Sequence, residues 1–475
     1  MDPNNQKFPK KSNRKQLPDR KLPKQLEHVN LNAAGIDIGS KSHFVAVPQG
    51  SDEADVREFR SFTSDLHELA NWLEKCGITT VAMESTGVYW IPLFELLESR
   101  GFEVRLVDAR RVKNVSGRKT DVMDCQWIQQ LHTYGLLLGA FRPDEQVCAL
   151  RSYLRQRSML IRQAGIHIQH MHKALSQMNV QLHNVLSDVT GECGMKIIRE
   201  IVSGERDPKV LARHRNFRCK SSLATIEKSL VGNYRNEHLF ALTQALELYD
   251  AYNDKITACD QEIEKQLFSF DKRLLESKSS TEEGGKKPKS KSNCKNALSF
   301  DVRSHLKRIA GVDLIAVPGI EASSALKVIS EIGLDLTRWK SDKQFASWLG
   351  LCPGNKVSGG KRLSGRTKRT ANNASATLRM AASTLHQSKS ALGAFYRRLK
   401  ARVGAPKAIT AAAHKLAKII FNMLKNGEEY RESGQNYYDE QYRNRVIKNL
   451  NKRAKEFGFE LIKRSENMAS ECAVL

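Results

Sequence analysis

The chain has no long apolar run. No uninterrupted stretch approaches the ~20 residues a membrane-spanning helix needs, and no apolar segment follows the Lys- and Pro-rich start. A soluble, cytoplasmic protein without a membrane partner is expected. Close cysteine pairs are lacking as well. The nine cysteines, Cys76, Cys125, Cys148, Cys193, Cys219, Cys259, Cys294, Cys352 and Cys472, lie far apart with no C-x-x-C among them. This spacing excludes a zinc ribbon or dithiol redox motif and reads as reduced thiols. Acidic charge is short: 52 Asp and Glu stand against 77 Lys and Arg, a net charge of +25. An excess spread over the whole chain makes a polyanion the natural partner; nucleic acid fits best, because neutralised phosphates release their counterions, and an anionic membrane surface is the rival.

At 475 residues the chain exceeds one ordinary core, and 40% hydrophobic residues suffice for two or three folded units with extended helices or tails. Residues 1–30 are rich in Lys, Arg, Asn, Gln and Pro, and are expected to form a disordered basic arm. Over residues 31–160, short β-rich runs (A-A-G-I-D-I, H-F-V-A-V-P, T-T-V-A-M-E, F-E-V-R-L-V-D) alternate with amphipathic stretches such as 64–75 and 89–99. That alternation after an opening hairpin predicts an α/β domain with a mixed sheet.

A helical region follows to residue 275. Leu154, Ile161, Ile168, Leu175 and Leu182 recur every seventh residue, with Ala164, Met171, Met178 and Val185 at the complementary spacing. A second segment repeats the device with Leu242, Tyr249, Ile256 and Ile263 beside Ala245, Tyr252 and Cys259. Such seams serve either a helix packed on its own domain or a coiled coil between copies. Residues 276–300 are polar, basic and Gly/Pro-containing, a flexible linker. A mostly helical domain is predicted over 301–430, then a charged tail over 431–475.

The candidate chemistry rests on four acids. Asp37 ends an apolar run before Gly39 and Ser40, and Glu84 ends T-V-A-M-E, so both sit at predicted strand ends. Asp121 and Asp124, in K-T-D-V-M-D, fall on one face of a predicted helix. Each alone reads more readily as a capping or surface group. Together they would repel unless hard cations lay between them, as Mg²⁺ does in phosphodiester chemistry. In V-P-G-I-E-A, Pro318 and Gly319 make a turn between helical patterns, either a simple connection or a hairpin whose amides grip a DNA phosphate. The segment from Asn355 to Arg369 carries Lys356, Lys361, Arg362, Arg366, Lys368 and Arg369 with no acid, interleaved with Ser358, Gly359, Gly360, Ser364 and Gly365. Composition supports a phosphate-binding loop, and leaves open whether a serine there attacks phosphorus.

The order G-I-D-I-G, M-E-S-T-G, K-T-D-V-M-D, V-P-G-I, V-S-G-G-K-R resembles that of the DEDD transposases of the insertion-sequence 110 family, from Ala33 to about Asn426. The resemblance implies an α/β RNase-H-like (RuvC-like) domain, a helical coiled-coil region and a mostly α C-terminal transposase domain. It implies strand exchange on donor and target double-stranded DNA, guided by a structured noncoding (bridge) RNA. Carried over by motif, Asp37, Glu84, Asp121 and Asp124 bind Mg²⁺ and Ser358 forms a covalent phosphoserine link to DNA, conserving the energy of the broken bond. It also implies a homo-oligomer, a tetramer built as a dimer of dimers, in which the carboxylates of one copy meet the serine of another. Here the hairpin reads P-G-I-E, so Glu321 sets an acid near the expected phosphate, and Cys125 follows Asp124 where a small Ala is common. A RuvC-like junction resolvase using water, or a non-catalytic nucleic-acid-binding protein, would share the acids and the basic charge.

Overall fold

The computed structural model describes residues 30–107, 121–137, 139–271, 295–368, 370 and 372–462. The N-terminal arm up to residue 29, most of the expected linker and Arg369 lie outside them. The chain divides into two compact units, Met1–Arg142 and Pro143–Leu475.

The first unit is a mixed sheet with helices on both faces, as the alternating pattern predicts. Strands β1 (Ala33–Ile38), β2 (Ser42–Ala46), β3 (Val56–Arg60), β4 (Thr80–Glu84) and β5 (Glu103–Val107) are ordered β3-β2-β1-β4-β5. β1 to β3 form an antiparallel meander, while β4 and β5 join β1 in parallel. Successive side chains of a strand point to opposite faces, and the core divides accordingly. Ala34, Ile36, Ile38, Val81, Met83 and Leu106 pack beneath helices α1 (Thr63–Lys75) and α2 (Trp90–Ser99), with Leu69, Leu73, Leu93 and Leu97 buried against them. Ala82 and Val107 face the other way, against Ile128 of helix α3 (Asp121–Thr133). Arg142 secures α2 by pairing with Glu95 at 3.0 Å and Glu98 at 2.9 Å while lying over the Phe94 ring.

The second unit begins with helix α4 (Glu145–Gln177), which runs through position 160, where the sequence pattern sets the border of the α/β domain. Asp144 caps it by accepting from the Val147 amide at 2.8 Å. The first heptad seam buries Leu154, Ala164, Met171 and Leu175 as expected, yet the helix stops short of Leu182 and Val185. Asn179 takes φ 57°, a left-handed conformation asparagine tolerates, and the Val180 amide turns back to the Leu175 carbonyl. Leu182 and Val185 therefore fall in a separate short helix, α5 (Leu182–Val185).

Helices α6 (Glu192–Ser203), α7 (Pro208–Ala212) and α8 (Leu223–Ser229) complete a satellite core, and α9 (Asn236–Ser269) returns along α4. The pairing is antiparallel, since Arg157 meets Asp260, His167 stacks on Tyr252, and Met171 shares a core with Leu242 and Ala245. Each seam thus buries against the other within one chain, through Leu160, Ala164 and Ile256 at the middle. The seams serve their own domain.

Asp301 opens the last region by capping helix α10 (Val302–Ala310) through the Arg303 and Ser304 amides. Helices α11 (Ala322–Ile332) and α12 (Asp342–Trp348) follow, then a small hairpin of β6 (Lys356–Ser358) and β7 (Lys361–Ser364). Helices α13 (Asn373–Thr384), α14 (Ala391–Val403) and α15 (Ala405–Asn426) follow, and buried Phe421 of α15 packs on Phe345 of α12. In the charged tail, helix α16 (Gly434–Glu456) buries no residue. Among the described residues no helix is long and apolar enough to cross a membrane.

Candidate active site

Asp37 and Glu84 fall on neighbouring parallel strands in a defined register. Gly35 pairs with Ala82 and Ile36 with Met83, so the next rung carries Asp37 and Glu84. Alternation turns both toward α3: Ala82, two before Glu84, packs on that helix, and Gly35, two before Asp37, touches it. Gly35 makes the approach possible. A Cβ there would collide with the Gln129 amide nitrogen and the Cys125 carbonyl oxygen, so only glycine lets α3 lie on β1. The Gln129 side chain ties the two together by donating to the Ala33 carbonyl.

That docking sets Cys125 beside Asp37. Burial pushes the Cys125 thiol up to about 12, and the Asp37 and Asp124 carboxylates add to the rise. The thiol stays protonated and donates to the Val122 carbonyl at 3.1 Å. Glu84 Oε1 accepts from the Thr86 hydroxyl at 2.9 Å. Asp121 lies one turn before Asp124 and is exposed. Carboxylate oxygens on one sheet face are the donor type that hard dications prefer. Among the described residues, no group of three or more His, Cys, Asp or Glu stands in metal-holding geometry.

At the far end of α3, His132 is fully buried and its Nε2 lies 2.9 Å from the Thr80 hydroxyl. Burial, aided by nearby Arg105 and opposed by Glu103, brings its pKa down to about 4, so it is neutral. A lone histidine in Q-L-H-T carries no sequence signal of this role. Gly35 and Cys125 were similarly visible only as part of motifs, since the contact between them is non-local.

In the second unit, the expected basic glycine loop is a β-hairpin. Ser358 pairs with Lys361 across Gly359 and Gly360, whose φ angles of 54° and 75° are those of a type I′ turn. Nothing lies within 4 Å of a Cβ at either glycine, so turn geometry rather than crowding selects them. Ser358, Lys361, Arg366 and Lys368 are exposed, and the stem is extended by the Gly354 amide donating to the Arg366 carbonyl at 3.0 Å. Lys356 and Arg362 occupy the two strands.

Gly319 has φ 86°, and a Cβ on it would stand 2.8 Å from the Ala381 carbonyl of α13. The Ile320 amide is engaged by the Val317 carbonyl at 3.0 Å. Packing on α13 is reason enough for this glycine. Glu321 is exposed at the start of α11.

A mixed sheet with acids at its strand ends thus precedes a mostly helical region that carries a basic hairpin. Residues 34–180 match the model of the DEDD transposases of IS110, and residues 313–397 match that of the transposase IS116/IS110/IS902 family. The chain belongs to the IS110 family of transposases, enzymes acting on DNA. The family match also indicates an RNase-H-like fold for the first unit. No curated protein matches it. Asp37, Glu84, Asp121 and Asp124 fall within the first matched segment and Ser358 within the second.

Proposed function

We propose that the chain cleaves and exchanges strands of donor and target DNA through Ser358, guided by a structured noncoding RNA, during movement of an insertion element. The observation that carries the reading is the shared sheet face, on which Asp37 and Glu84 occupy one rung of neighbouring strands beside the helix of Asp121 and Asp124. These four would hold Mg²⁺, which when bound would supply Lewis-acid stabilisation of charge on phosphoryl oxygens. The remaining chemistry belongs to the chain. Ser358 sits exposed at the shoulder of a tight hairpin, where a DNA backbone has access to it. Its Oγ forms a bond to phosphorus as the bond to the leaving sugar oxygen breaks, and the hydroxyl proton passes to solvent base. Lys356, Lys361, Arg362, Arg366, Lys368 and Arg369 surround that position in sequence and neutralise the phosphates.

The carboxylates and Ser358 belong to different compact units, which suits a site shared between copies in a dimer of dimers. The heptad seams are already buried within one chain, so such an assembly would use other surfaces.

The decisive experiment traps protein–DNA adducts on a denaturing gel with matched RNA, DNA and Mg²⁺. Ser358→Ala should abolish the adduct and Asp121→Asn should abolish cleavage. Cleavage that survives Ser358→Ala would replace serine with water as the nucleophile.

A further inference from the structure

Between α7 and α8 a braced loop, residues 213–222, presents an aromatic ring to solvent. Phe217 is 83% exposed, an extent that packing does not explain. The loop beneath it is held from several sides. Cys193 Sγ accepts from the Asn216 amide at 3.1 Å, and its thiol donates to the His214 carbonyl at 2.6 Å. Arg215 donates to the Cys219 carbonyl at 2.9 Å and the Ser221 carbonyl at 2.8 Å, which spends its guanidinium inside the loop. The Asn216 side chain caps the turn through the Arg218 amide at 3.1 Å. His214 pairs with Glu200 at 2.6 Å.

The cations left over face outward. Arg213, Arg218 and Lys220 are exposed and in no ion pair among the described residues, and the Arg218 guanidinium lies 5.2 Å from the Phe217 ring centroid. The neighbouring acids, Glu192 and Glu200, pair with Lys196 and His214, and Glu192 also feels the Arg218 charge.

An exposed ring on a rigid turn, flanked by exposed cations, is the equipment that recognises an unpaired nucleobase, whose face stacks while its flanking phosphates meet the charges. A duplex hides its base faces, and a structured RNA displays them in loops and bulges. We propose that the Phe217 loop binds an unpaired loop of RNA, with Phe217 stacking on a base and Arg213, Arg218 and Lys220 on its phosphates. This deepens the guide-RNA reading and rests on it for the choice of RNA over single-stranded DNA.

The test uses the full chain and a stem-loop RNA of unrelated sequence with 2-aminopurine in its loop, so that failure to find a guide RNA leaves it intact. A fully paired RNA and a single-stranded DNA serve as comparisons. Phe217→Ala should weaken stem-loop binding roughly five- to 150-fold and abolish the fluorescence quenching, with paired RNA unaffected and melting temperature unchanged. Phe217→Trp should restore both. Arg213→Gln and Lys220→Gln should weaken every strand alike and each lower the salt slope by about one. An unchanged affinity in Phe217→Ala, an equal loss on paired RNA, a dependence confined to single-stranded DNA, or no stem-loop binding by the native chain would each overturn the proposal.

Discussion

The backbone of Gly35 lies so close to the carbonyl of Cys125 that no side chain fits between strand and helix. Gly35→Ala should therefore push α3 off β1, and Asp121 and Asp124 with it. Overpacking of this kind costs about 1–3 kcal/mol, so the fold should survive at a lower melting temperature. DNA cleavage should fall far more than stability does. Gly165→Ala is the matched contrast. That glycine lies inside α4 with nothing within 4 Å of the place an added methyl would take, and alanine there should stabilise by about 0.5–1 kcal/mol. Thermal melts of both variants, with cleavage assays, separate a positioning role for Gly35 from general damage.

Four of the five strands were legible because each is a short apolar run ending at a polar or turn residue, and the acids of β1 and β4 could be placed at strand ends for that reason; β3, V-R-E-F-R, is mostly polar and offers no such run. Periodicity likewise revealed the apolar faces of α4 and α9. It could not name their partner, because a heptad records only that a face must be covered, and Ile256 covers Ala164 across a chain separation that no local pattern encodes. Asn179 illustrates the same limit, since one left-handed residue ends a helix whose apolar period continues through Leu182. For the candidate site, residue types and order were visible. The face they share was not, because it depends on the Gly35–Ala82 register and the depth to which α3 settles.

His132 gives stability a pH dependence. Its pKa falls from 6.5 in an unfolded chain to about 4 in the fold, so the native state resists protonation. The unfolded chain binds the extra proton first, and stability, complete above pH 6.5, drains away as pH falls toward 4. Between pH 7 and pH 5 the loss from this group should be about 2 kcal/mol. Urea midpoints at the two pH values, compared with His132→Gln, check it: the variant should be less stable at pH 7 but should show a shallower decline. An identical slope in both proteins would remove His132 as the cause.

Arg157 and Asp260 form a buried ion pair joining α4 to α9, with both side chains under a tenth exposed. Arg157 also donates to the Asn296 and Ala297 carbonyls at 3.1 and 3.2 Å, and Asp260 accepts from the Ser299 amide at 3.1 Å. Arg157→Ala would strand a buried carboxylate and should cost about 3–5 kcal/mol in urea denaturation. Replacing both residues with Met and Leu should recover part of that. Full recovery is not expected, because three backbone groups would lose their partners.

The hairpin under Ser358 offers a test of geometry apart from chemistry. Gly359 and Gly360 both take positive φ, which a β-carbon disfavours by about 1–2 kcal/mol per residue, while open space surrounds them. Gly359→Ala should therefore distort the turn and shift Ser358 without disturbing any core. Gly359→Asn should be tolerated, because asparagine adopts left-handed backbone and Asn-Gly is a favoured type I′ pair. If Ser358 reacts from this hairpin, covalent adduct yield should drop in the alanine variant and return in the asparagine variant, with melting temperatures near that of the native chain. Equal yields in all three would mean that the turn does not position the reacting hydroxyl.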